Sequence, residues 1–164
     1  MTGPRVVVVG VGNALRGDDG AGLAVAARLE GRVPDGVAVV PCVQEPSRLV
    51  DAWRGAAAAV VVDAVASGAS PGTLHRFDAG VQPLPGRVFR SSTHAFGVGE
   101  TIELARALGA LPARVLVYGV EGAEFAAGEG LTPAVDEAVD RAAAAVLDDV
   151  DRLIREEGAC TSRP

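Results

Sequence analysis

Four short apolar runs, rich in β-branched residues, constrain the fold of this chain more than any other feature. They cover residues 6–9, stopped by Gly10, then 37–40, then 57–62, which ends at Asp63, and finally 115–118. Continuous runs of this kind read as strands buried on both faces, the habit of parallel sheets. Helical periodicity lies between them. Residues 19–30 carry Leu23, Ala26 and Ala27 at i, i+3, i+4 spacing, and Pro46 and Ser47 open a short helix through Trp53. Residues 93–108 repeat through Ile102, Ala105 and Leu108. The last helix starts with Thr132 as N-cap and Pro133 at N1, with Asp136 and Glu137 in its first turns. Its apolar positions Val135, Val139, Ala142, Val146, Val150 and Leu153 keep one face for a sheet. Residues 73–77 alternate as an edge strand does, and residues 80–86 hold two prolines and read as irregular.

Strands alternating with helices predict a doubly wound, parallel-dominated sheet in a single three-layer α/β domain. That domain is expected over residues 1–157, with 158–164 as a frayed tail. In open sheets of this type, sites form beyond the carboxyl ends of the strands, where strand order reverses. The polar residues that follow the strands are therefore the ones to read for function.

Composition removes several classes of function. All 15 basic residues are Arg, so neither a Schiff-base lysine nor a phosphate-loop lysine is possible. A net charge of −6 with no basic cluster argues against a nucleic-acid partner. With 49% hydrophobic but only 4% aromatic residues, the core is expected to be aliphatic. Cys42 ends an apolar run and reads as buried, and Cys160 sits in a polar stretch, so the pair forms no disulfide framework. The start runs straight into the first strand without an apolar leader, and no stretch approaches the ~20 apolar residues of a membrane span. A reducing cytoplasm is the expectation.

After the first strand comes Gly10-Val11-Gly12-Asn13-Ala14-Leu15-Arg16-Gly17-Asp18-Asp19-Gly20. A dinucleotide fingerprint would need glycine at position 15, where Leu stands. A phosphate loop would need Lys after Gly17, where two aspartates stand and would repel the anion. No nucleotide is expected. Asp18 reads as a helix N-cap, which leaves Asp19 to point into a site. Asp63 closes the third run, beside the first-strand loop if the two strands are neighbours. His75 lies in the edge-strand pattern and reads as a surface residue, whereas His94 stands at a loop-to-helix junction. Asp19, Asp63 and His94 thus offer two carboxylates and an imidazole from three segments. That set suits a divalent transition metal with open coordination positions. It equally suits acid–base catalysis with a histidine, and the spacing does not decide between them.

Several ordered blocks resemble hydrogenase maturation endopeptidases. They are the segment from Gly10 to Gly22, Asp63-Ala64, Ser92-Thr93-His94-Ala95-Phe96-Gly97, Tyr118-Gly119-Val120-Glu121, and Gly130-Leu131-Thr132-Pro133-Ala134-Val135. The resemblance implies a five-stranded twisted sheet flanked by helices. It implies a monomeric peptidase that removes the C-terminal extension of a nickel-loaded nickel–iron hydrogenase large-subunit precursor. On that likeness Asp19, Asp63 and His94 are the catalytic and metal-contacting residues. Nickel is expected to come with the precursor, because three O/N donors without a thiolate fall short of a tight four-donor site. Where many members carry Asp-Gly-Gly-Thr after the second strand, this chain has Cys42-Val43-Gln44-Glu45-Pro46-Ser47. The usual Gly-x-Glu-Pro is Gly119-Val120-Glu121-Gly122, read as a loop change of no consequence for the site. The competing readings are a metal-assisted hydrolase of another substrate and a non-catalytic metal-delivery or docking protein.

Overall fold

The computed structural model describes residues 3–43, 45–89 and 97–160. Five strands, β1 (Val6–Gly12), β2 (Val37–Val43), β3 (Ala58–Val65), β4 (Leu74–Asp78) and β5 (Arg114–Glu121), form one sheet in the order β2-β1-β3-β5-β4. β1 is parallel to β2 and β3, and β3 is parallel to β5, while β4 lies antiparallel to β5 at the edge. The chain steps outward from β1 to β2 and then returns across β1 to β3. The order therefore reverses between β1 and β3, where a doubly wound sheet opens a crevice.

Two aliphatic cores cover the two faces. α1 (Ala21–Leu29) and α4 (Pro133–Cys160) pack on the face that presents Val6, Val8, Val60, Val62 and Leu116. α2 (Pro46–Ala52) and α3 (Val98–Ala107) pack on the face that presents Val7, Val9, Val61, Val115 and Val117. The even and odd residues of each strand divide between the two cores, as the two-residue side-chain period requires. Trp53 is fully buried at the amino end of the sheet, and its Nε1 donates to Ala110 O at 3.0 Å.

α1 lies unusually close to the strands. A Cβ on Gly22 would collide with the carbonyl oxygens of Val11 and Val62, and one on Gly10 would collide with Gly22 O. Only glycine at both positions lets the start of α1 settle over the β1–β3 junction.

Several boundaries differ from the sequence pattern. β1, β2, β3 and β5 each run beyond their predicted ends, because the glycine, proline or aspartate that ends an apolar run stays in the ladder. The first helix begins at Ala21 and is preceded by a 3-10 turn over Gly17–Gly20, so Asp19 precedes the α-helix. α3 begins at Val98, and the expected helical residues 93–96 lie outside the described residues. α4 continues to Cys160, so residues 158–160 are helical; 161–164 lie outside the described residues.

One buried acid joins α4 to the far edge of the sheet. Asp149 accepts from Arg76 Nε at 2.8 Å and Nη2 at 2.9 Å, and also from the Tyr118 hydroxyl and Arg152. Removing one partner of a buried ion pair strands the others. Arg76 is partly solvated, which tempers the loss. Asp149→Ala is expected to cost about 2–3 kcal/mol, and so to lower the melting temperature by about 5–10 °C. Calorimetry at neutral pH checks this, and a shift under about 2 °C would show that the pairing contributes little.

Candidate active site

The segment between β1 and α1 is folded around Asp18. Gly17 takes a φ of 57°, and a Cβ there would meet Glu124 O at 2.6 Å, so the chain can turn inward only at a glycine. Asp18 then enters the protein fully buried. Its Oδ2 accepts from Ala123 N at 2.8 Å and Glu124 N at 3.0 Å, and its Oδ1 accepts from Thr132 N at 2.8 Å. The Thr132 hydroxyl donates to both oxygens. Burial pushes this carboxyl up, but the amides of Thr132, Ala123 and Glu124 and the Thr132 hydroxyl outweigh it and hold the group below the ordinary aspartate range. Asp18 is thus not the helix cap the sequence suggested. It ties the post-β1 segment to the loop between β5 and α4, which leaves α1 capped by Gly20 with no side-chain bond.

Asp63 occupies the carboxyl half of β3, one residue past the Gly10–Val62 pairing with β1. It shares a face with Val61 and Val65, and is 8% exposed. Its Oδ1 accepts from Ala64 N at 2.9 Å. Burial, then the charge of Asp19, push its carboxyl up to about 8, and the single Ala64 amide only partly offsets them. The structure therefore brings Asp19 and Asp63 into one electrostatic neighbourhood at the switch point. Cys42, level with Val11 on the adjacent strand, is buried, and burial pushes its thiol up, which suits packing rather than nucleophilic attack. His94 lies outside the described residues. Among the described residues, no group of three or more His, Cys, Asp and Glu side chains is arranged to hold a metal ion.

Sequence reasoning also misread His75 and passed over Glu121. His75 is not a surface residue: its side chain is 18% exposed, and Nε2 lies 3.0 Å from Glu121 Oε2. Glu121 itself is fully buried at the end of β5. Its Oε1 accepts from Ser67 N at 2.7 Å and Gly68 N at 3.1 Å, and its Oε2 also accepts from Ser67 Oγ at 2.8 Å. Burial pushes this carboxyl up, and the bonds from Ser67 and His75 with the Gly68 amide outweigh it, leaving it below the usual glutamate range. A glutamate closing an apolar strand, Tyr118-Gly119-Val120-Glu121, was the available signal.

The hydrogenase maturation protease family model matches residues 24–149. The chain belongs to the hydrogenase maturation protease family. The hydrogenase expression/formation protein HoxM of Azotobacter vinelandii is 33% identical over 127 residues, a match covering 76% of this chain and 61% of that protein. A coenzyme F420 hydrogenase subunit delta of Methanothermobacter thermautotrophicus is 31% identical and is matched over 94% of its length and 89% of this chain. Among solved structures, the hydrogenase maturating endopeptidase HybD from E. coli superposes with a TM-score of 0.76 at 25% identity, covering 90% of this chain and 93% of that one. A maturation protease fold thus carries the two aspartates at its switch point.

The opposite shifts of Asp18 and Asp63 give stability effects of opposite sign. Asp18 is depressed in the fold, so its contribution is complete above about pH 4 and is lost as pH falls through the folded value. Asp63 is raised to about 8, so the native state keeps a proton that the unfolded chain releases near 3.8. Its cost therefore appears as pH rises from about 4 and levels off above about 8. Asp63→Asn should consequently gain on wild type between about pH 5 and pH 8.5. Melting curves at the two pH values measure this, and a constant gap would refute the raised carboxyl.

Proposed function

We propose that this chain is an endopeptidase that removes a C-terminal extension from a nickel-loaded nickel–iron hydrogenase large-subunit precursor. The observation that carries the reading is the buried Asp63 carboxyl beside Asp19, at the switch point of a maturation protease fold. Such a pair is costly to keep in an unliganded protein, and a divalent cation brought to it would offset the repulsion. The donor chemistry fits nickel as cargo of the substrate: two carboxylate oxygens, with the His94 imidazole as the proposed nitrogen donor. Nickel supplies Lewis-acid polarisation of a carbonyl or activation of a water when the precursor carries it.

The protein's own part in the reaction is position and proton handling. Asp63, raised toward neutrality, exists in both protonation states near physiological pH and is suited to take or return a proton at its carboxylate. Burial raises it first, and the charge of Asp19, on the 3-10 turn fixed by Asp18, raises it further. The protein acts as a cytoplasmic monomer in this reading. No helix among the described residues is long and apolar enough to cross a membrane.

Asp19→Ala, Asp63→Ala and His94→Ala should each cut precursor processing to below about one hundredth of wild type. Gel mobility of the precursor reads the outcome, and full activity in any two variants would overturn the assignment. Nickel-free precursor should stay uncut by chelator-treated enzyme, which by itself is expected to bind nickel only weakly. Efficient trimming of the nickel-free form would remove nickel from the proposal.

A further inference from the structure

Asp63, Gly119 and His75 stand level on three neighbouring strands, since Asp63 pairs with Gly119 and Gly119 with His75. All three lie on the face that presents Val61, Val65, Val117 and Phe77. Strand spacing puts the backbones of Asp63 and His75 about 10 Å apart. Gly119 leaves the space between them to Val65: a Cβ at 119 would lie 3.0 Å from Val65 Cγ1 and 3.5 Å from His75 Cβ. His75 stacks on Phe77 with ring centroids 6.4 Å apart, and Phe77 packs edge-on against Phe89. The imidazole is therefore held on one side by an aromatic stack and on the other by Glu121.

Glu121 faces four donors, and an ionised carboxylate is the one side chain of this length that only accepts. Three of those donors belong to Ser67 and Gly68, the turn that begins two residues after β3. The fourth is His75, whose Nε2 must carry its proton to face a carboxylate. Backbone bonds reinforce the same seam, with Gly122 N donating to Val65 O at 2.9 Å and Gly72 N to Glu121 O at 2.8 Å. The strand segment from Asp63 to Val65 is thus anchored downstream by a buried anion that His75 orients.

We infer that His75 and Glu121 are a positioning pair for the active site, holding the Ser67–Gly68 turn so that Asp63 keeps its place beside Asp19. The inference rests on the proposed peptidase reading. The pair touches no substrate; it acts through the backbone of β3. Loss of the clamp lets the end of β3 shift, and displacements near 1 Å at a reacting group cost on the order of 100-fold in rate.

The test uses the full chain, nickel-loaded precursor, and five variants. Glu121→Ala should lower kcat about 100-fold and His75→Ala about 10-fold, each with KM within about threefold of wild type. Glu121→Gln should recover to within about 10-fold of wild type, because the amide oxygen still accepts both turn amides and the imidazole can present its other tautomer. Amide hydrogen exchange at Ser67 and Gly68 should quicken at least about 10-fold in Glu121→Ala, with β1 amides unchanged. Asp149→Ala, measured below its melting temperature, should keep processing within about threefold, which separates positioning from simple destabilisation. Retention of kcat in Glu121→Ala, or an equal loss in Asp149→Ala, would overturn the pair. Asp63→Asn on the same precursor separates the two readings. If it is inactive while Glu121→Ala is normal, only the pair fails; if it is fully active, the site reading fails and takes the pair with it.

Discussion

Asp18 accepts the amides of Ala123, Glu124 and Thr132, and through that single anion the segment after β1 is fastened to the segment after β5. The rest of the site is built on this fastening. The Gly17–Gly20 turn has its conformation because Asp18 points inward, and Asp19 is placed by that turn. Backbone bonds run beside the carboxylate, from Asp18 N to Glu124 O and from Gly17 N to Gly128 O, so the two loops form one layer. An apolar residue at position 18 would leave three amides without their acceptor, each at about 1–3 kcal/mol. The carboxylate thus adds its three amide bonds to the backbone bonds that join the two loops.

Three buried acids at the carboxyl end of the sheet meet different fates, and the number of N–H and O–H donors decides each. Asp18 and Glu121 collect amides and hydroxyls until ionisation is favoured in spite of burial. Among the described residues Asp63 has one amide and a neighbouring negative charge, so burial wins. Two acids fix loops, and the third holds its proton to a higher pH. Donor count and neighbouring charge thus set the proton affinity of each buried acid.

The architecture was legible because parallel strands covered on both faces must be continuous apolar runs, and residues 6–9, 57–62 and 115–118 are such runs. The adjacency of β1 and β3, and with it the meeting of Asp19 and Asp63, followed from the doubly wound order. Asp18 was misread because capping is the commonest use of an aspartate before a helix, and its true partners lie more than a hundred residues away. His75 was misread for a related reason. Alternation in residues 73–77 showed which residues share a face but not what covers that face, and Glu121, Val65 and Phe77 supply the cover. Long-range partners of polar side chains leave no periodic trace in a sequence. Hydrophobic period does, which is why the fold was easier to read than its polar contacts.

An aliphatic core also explains how two carboxylates come to share a neighbourhood. Val and Ala make thin layers, so α1 can approach the sheet more closely than it could over aromatic side chains. Gly10 and Gly22 remove the last atoms in the way, and the backbone of α1 comes to rest on the carbonyls of Val11 and Val62. Val62 immediately precedes Asp63, and Gly22 follows Asp19 by three residues. Close contact between those two backbones therefore carries the two acids toward one another. A Cβ at position 22 would force the helix outward and reduce the mutual repulsion, because Coulomb energy falls with separation. The small residues at the helix–sheet contact thus add, through distance, to the proton affinity that burial already raises at Asp63.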